Sequence, residues 1–157
     1  MFLGILLWEA DDPEAEAMLV RTVALASEMG LNRVEALAAA IEARVRRERG
    51  DLDAALARSA RANELLEQVG AELADRIVIG ATRALLLRNS GRGADADAIE
   101  SDLRERIAER RDRIASPLLR MRHQRSALRL LEAALSPDGP IYPRVRLSEE
   151  ALRAQGI

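Results

Sequence analysis

Cysteine is absent from the 157 residues, which removes disulfides, thiolate metal sites and cysteine nucleophiles together and suits a reducing, cytoplasmic setting. Lysine is absent too: all 24 basic residues are arginine. With the abundant alanine, this reads as the compositional bias of a GC-rich genome rather than as a functional choice. Aromatic residues make up only 2%, as Phe2, Trp8 and Tyr142, all near the ends. A core without aromatics must be built from Ala and Leu, which favour closely packed helices, and β-branched residues are too scattered for a sheet. No apolar run approaches the ~20 residues needed to span a bilayer. The stretch Met1 to Trp8 is apolar, but it lacks a basic leader and a small-residue cleavage site, so it does not read as a secretion signal.

What is present is a globular balance, 48% hydrophobic and 32% charged, with a net charge of −2 that gives the chain as a whole no strong pull on polyanions. The strongest pattern is a repeat. The segment ending at Gly30 aligns with the one ending at Gly70: Asp11 falls on Asp51, Ala15 on Ala55, Leu19 on Ser59, Leu25 on Leu65 and Met29 on Val69, an offset of 40. A further copy follows at an offset of 41, with Ala43 on Ala84, Gly50 on Gly91 and Ala55 on Ala96.

Each unit has the same grammar. A first helix runs from Arg33 to Arg49, with Val34, Leu37, Ile41 and Val45 on one face. Gly50 permits a left-handed helix end and the Asp51 carboxylate can cap the next helix, whose buried stripe is Leu52, Ala55, Leu56, Ala62, Leu66 and Val69. The next pair spans about Glu72 to Asn89 and Ala94 to Ala115, with Ile99, Leu103, Ile107 and Ile114 facing in. Ala43, Ala55, Ala84 and Ala96 let paired backbones cross closely. Ser116 and Pro117 then start another helix, with Met121, Leu128, Leu131 and Leu135 expected inward, and the Pro-containing run from Ser136 to Pro143 ends it.

The expected fold is therefore all-α: a short right-handed solenoid of antiparallel helical hairpins, about six to eight helices. Its units fall at about 1–30, 31–70 and 71–115, with an added helix at 117–135. Residues 136–157 form a tail with room for one short helix capped by Ser148. By the offset, Phe2 to Trp8 is the surviving half of an opening helix. Its apolar side chains point to docking onto a longer array or to self-association through that end.

The hairpins at 43–62 and 83–103 resemble tetratricopeptide repeats of the longer, 40-residue kind, in which a Gly closes the first helix and an Ala follows. The stretch from Leu103 to Arg120, with its Arg-Ile-Ala-Ser-Pro-Leu-Leu-Arg ending at Arg113–Arg120, is similar to the close of helical arrays in bacterial serine/threonine kinases and ATP-dependent transcriptional regulators. The large aromatics of shorter repeats are missing and the tail after Ser136 has no counterpart. No kinase or nucleotide-binding motif is present, so none of that activity comes with the resemblance.

The resemblance implies a scaffold for protein–protein interaction rather than an enzyme, or else a regulatory or ligand-sensing arm of a kinase or transcription-regulator system. In that family the first helices line a concave groove that holds a peptide or a helix. The polar positions there are Arg44, Arg47, Arg83, Arg88 and Asn89, whose arginines could fork onto a ligand carboxylate; the plainer reading of each is a solvated side chain.

Other candidates are weaker. His123 is the only histidine, with no second ligand at helical spacing, so no metal site is expected. The segment Gly91 to Asp102 matches neither a phosphate-cradling loop nor a calcium loop, and reads as a turn followed by a helix start with acids favoured by the dipole. No cofactor is implied. Residues 104–129 hold nine Arg against three acids, while residues 1–103 carry 19 acids against 12 Arg. That asymmetry suits an acidic protein surface better than nucleic acid, because no aromatic side chain interleaves for base stacking; a solvated helix face is the plainer reading.

Overall fold

A computed structural model describes residues 14–137. About 85% of these are helical, in six helices with no strand among the described residues: the protein is all-α. The helices are α1 (Glu14–Glu28), α2 (Asn32–Glu48), α3 (Leu52–Gln68), α4 (Leu73–Asn89), α5 (Gly93–Asp112) and α6 (Pro117–Leu135). Phe2 to Trp8 and the stretch around Ser148 lie outside the described residues, and with them the expectations placed there.

Each helix stops where local chemistry dictates. After α2, Gly50 takes φ +84°, and the amides of Gly50 and Asp51 turn back onto the carbonyls of Arg47 and Arg46 at 2.9 and 3.0 Å. This left-handed closure satisfies carbonyls that the helix end leaves free, and it repeats at Gly30 and Gly91. Asp51 Oδ1 then accepts from the Ala54 amide at 3.1 Å and opens α3, while Pro117 occupies the first turn of α6 behind Ser116. α5 ends at Asp112, three residues earlier than the periodicity predicts, leaving Ile114 past the helix end and half-buried.

Consecutive helices pack on each other, and α4 also packs on α2 and on α6. Arg33 at the start of α2 reaches Glu72 and Asp75 at the start of α4, so these two helices run in the same direction. Hydrophobic packing alternates across the turns. Ala43 of α2 and Ala55 of α3 are fully buried together with Leu86 of α4; Ala84 of α4 and Ala96 of α5 are fully buried together with Leu87. Four methyl side chains at the crossings leave room for the leucine to fill, which is the reason the chain keeps Ala at these positions.

α2 and α4 form the centre, buried along most of their length and on several faces. Leu37, Ile41 and Val45 of α2 join Leu65 and Leu66 of α3 and Val78 and Ile79 of α4 in one cluster. A second joins Ile77 and Ala81 of α4, Leu103 and Ile107 of α5, and Leu131 and Ala134 of α6. Central burial brings charge inside, and each buried carboxylate meets arginine. Glu42 Oε1, fully buried, accepts from Arg46 Nε at 2.8 Å and Arg58 Nε at 3.1 Å; Asp75 Oδ2 accepts from Arg33 Nε at 2.6 Å. An unpaired carboxylate at such depth would be strongly destabilising, so these pairs favour one register of α2 against α3 and α4.

The first turns of α6 stand clear of the core. Leu118, Leu119 and Met121 are all more than half exposed, whereas the helical period places Met121 inward. Burial on α6 begins at Ala127, where α4 lies alongside.

Candidate functional site

The five side chains at the expected groove positions are held in three different settings. Arg44 lies on the face of α2 turned toward the end of α6 and is fully buried. Its Nη1 donates to the Ala134 carbonyl at 3.0 Å and its Nη2 to the Ser136 carbonyl at 2.7 Å. Arg47, one turn along, donates from Nη2 to the Pro137 carbonyl at 2.7 Å and pairs with Glu48. These two arginines converge on four residues of main chain, 134–137. The reason lies in α6: its last turn carries no basic residue, and its C-terminal carbonyls form the negative end of the helix dipole. Two guanidinium groups from α2 supply the donors that α6 lacks.

Arg83 is half-buried and reaches toward Ser59 Oγ on α3, at 3.5 Å. Arg88 is exposed at the other end of α4 and forks across to α5, with Nη2 on Asp97 Oδ1 and Nη1 on Glu100 Oε1, both at 2.6 Å. The Glu100 carboxylate, with Asp97 second, holds this guanidinium still more firmly protonated than usual. Asn89 is exposed beside it. The five therefore do not meet around one ligand position: Arg44 and Arg47 face the end of α6, while Arg83 faces α3 and Arg88 faces α5.

No signal in the sequence marks Arg44 as buried, since on helical period alone it is a polar position between Ala43 and Val45. The retrospective signal is the bare C-terminus of α6, which ends at Leu135 and runs into Ser136 and Pro137 without a cation of its own.

His123 is half-buried on α6, where it lines a cavity together with Leu73 and Ile77 of α4, and its Nε2 is buried without a hydrogen-bond partner among the described residues. Among the described residues no group of three or more His, Asp or Glu side chains is placed to hold a metal ion. No helix there is long and apolar enough to cross a membrane.

A groove also runs between α3 and α5, floored by Gly80 and Leu103 and edged by two ion pairs, Arg76 with Glu67 at 2.9 Å and Arg106 with Asp102 at 2.7 Å. Its charges are internally satisfied.

No protein-family model, curated protein or solved structure matches the chain.

Proposed function

We propose that this protein is a tetratricopeptide-like interaction module, a short right-handed α-solenoid that binds a segment of a partner protein along the side of α2, α4 and α6. The observation that carries the reading is the grip of Arg44 and Arg47 on residues 134–137. Two arginines on successive turns of a hairpin's first helix hold the last turn of α6 and the irregular main chain after it through their carbonyls. A helical groove holds an extended peptide by the same chemistry. In this chain the α2 end of that surface is filled by the chain's own segment; the remaining polar positions on α4 are Arg83, Arg88 and Asn89, and to meet a partner Arg83 would turn from Ser59 on α3 and Arg88 from Asp97 and Glu100 on α5. A carboxylate-bearing peptide would compete with Asp97 and Glu100 for Arg88. A cytoplasmic, non-enzymatic scaffold is the setting we propose with it.

The test is direct binding of the purified chain to an array of carboxylate-bearing peptides. Arg83→Ala and Arg88→Ala are expected to weaken the peptides that bind, by about tenfold for each guanidinium removed. If both substitutions leave every peptide bound as before, the groove assignment is wrong.

A further inference from the structure

Among the described residues, several buried polar atoms lack a hydrogen-bond partner, but most belong to head groups that are otherwise engaged. Glu42, Arg44 and Arg47 each bond through another atom of the same group. His123 Nε2 differs. It is shielded from solvent and unpartnered, and it belongs to the one histidine of the chain. A nitrogen left in that state is a standing cost to stability. The same side chain lines a cavity of about 200 Å³ between the start of α4 and the middle of α6. The wall is otherwise aliphatic, with Leu73 and Ile77 from α4 and Ala127 and Leu130 from α6, except for the exposed Ser126. Ala74 and Ala127 keep the space open, since a larger side chain at either would fill it.

A water suits this space poorly: His123 and Ser126 are its polar neighbours there, short of the about three partners a buried water typically has. The cavity also stands away from both ends of the described chain. Glu16 meets Arg46 and Arg49 near the end of α2, and Arg44 and Arg47 hold residues 134–137 at that same end. The start of α4 is tied through Asp75 to Arg33, at the opposite end of α2 and about 20 Å along the helix from Arg46. The charge around the cavity favours an anion. Glu72 and Asp75, beside its α4 wall, are both paired with Arg33. On α6, Arg122 and Arg125, either side of His123 in sequence, have no ion pair among the described residues, and residues 104–135 hold nine Arg against four acids.

From these observations we infer that the cavity is a binding site for a small monocarboxylic acid with a short hydrocarbon tail. A cavity of ~150 Å³ holds benzene, so this one holds about eight non-hydrogen atoms, the size of hexanoate. The tail lies against Leu73, Ile77, Ala127 and Leu130, and the carboxylate meets His123. The torsion that turns an imidazole about its Cβ–Cγ bond is broad, so the ring swings to present Nε2 to the cavity at little expense. The hydrogen bond formed there satisfies a nitrogen that the fold itself leaves bare, and the arginine-rich helix supplies a favourable potential for the charge. The ligand touches α4 and α6 together. It therefore braces α6 onto the core just after the turn in which Leu118, Leu119 and Met121 stand clear. The site is separate from Arg83 and Arg88 and does not depend on the binding of a peptide there.

The experiment titrates hexanoate into the full chain and follows the imidazole resonances of its sole histidine by nuclear magnetic resonance. They are expected to move saturably, with a dissociation constant on the order of 1 mM for about eight non-hydrogen atoms in a partly open cavity. Hexanol has the same tail with a neutral head, and acetate has the head without the tail. Each is expected to bind at least about tenfold more weakly. Ala74→Leu, at an exposed position on the wall, fills the cavity, and His123→Leu keeps the bulk while removing the nitrogens. Saturation-transfer signals from hexanoate are expected to show about tenfold weaker binding to each, with circular dichroism verifying the helices; if one variant fails to fold, the other decides. Imidazole resonances that hexanoate leaves in place overturn the site, as does undiminished hexanoate binding by the folded variants. Acetate that matches hexanoate overturns it too, since that is an anion gathered by surface arginines, and hexanol that matches it overturns the carboxylate. Arg83→Ala and Arg88→Ala are expected to leave hexanoate binding unchanged, and a loss in those variants would move the ligand out of this cavity. Failure of peptide binding with hexanoate binding preserved would remove the groove reading alone.

Discussion

Arg44 on α2 donates to the carbonyl of Ala134 on α6, 90 residues away, from a side chain with no exposure to solvent. With its second nitrogen on Ser136, it acts as a C-terminal cap delivered from another helix. A guanidinium is suited to this, since its planar fork meets two carbonyls at once and its charge opposes the helix dipole. The contact ties the last described helix to the first central one.

Replacing Arg44 by Ala removes both charge-assisted bonds and leaves carbonyls of α6 unsatisfied in a buried place, at a cost of about 3 kcal/mol. Urea unfolding followed by circular dichroism gives the value. Arg44→Lys recovers less than half of it, because one ammonium cannot span the Ala134 and Ser136 oxygens. A loss under about 1 kcal/mol for Arg44→Ala would mean that the cap contributes little.

The alanine crossings make a second prediction, on packing rather than on charge. Ala43 and Ala84 are equivalent in successive hairpins and are both fully buried beside a leucine. Enlarging either to Leu forces the paired helices apart and costs about 2 kcal/mol or more, by over-packing. Ala57, on α3 in the hairpin of Ala43, is exposed, so Ala57→Leu is expected to be neutral within about 0.5 kcal/mol. Equal melting temperatures for Ala84→Leu and Ala57→Leu would contradict the close crossing.

A third prediction concerns acid. The Arg111 guanidinium, hydrogen-bonded at 2.7 Å, holds the Asp112 carboxyl below its ordinary value at the end of α5. A carboxyl depressed on folding contributes stability that is present above its unfolded pKa and is lost as pH falls through the folded one. The pair is at the surface, so the contribution is small and fades in salt. A carbon-detected titration is expected to place Asp112 below the usual aspartate range and to return it to that range in Arg111→Gln. An unchanged midpoint in that variant would remove Arg111 as the cause.

Much of the helix layout is legible along the chain because its causes are local. Gly50 and Gly91 stop helices by a conformation that other residues resist, Asp51 and Ser116 restart them through their own side chains, and both effects act within about five residues. The buried stripe of α3 follows from helical period, with Ala55, Ala62 and Leu66 in the core. Ala43 and Ala84 announce a close crossing by being small. The candidate partner residues were not legible in the same way. Arg44, Arg83 and Arg88 look alike as polar positions on first helices, and their differing fates depend on neighbours from α6, α3 and α5.

By itself, the sequence determined that the chain is helical, where most of its described helices end and which alanines sit at the crossings, because propensity, capping and side-chain volume are properties of a few consecutive residues. Only the tertiary structure decided that Arg44 is an internal cap and that Met121 faces water although the period turns it inward. Both depend on what lies beside a side chain from tens of residues away. Arg44 has the bare end of α6 against it, and Met121 precedes the point at which α4 comes alongside.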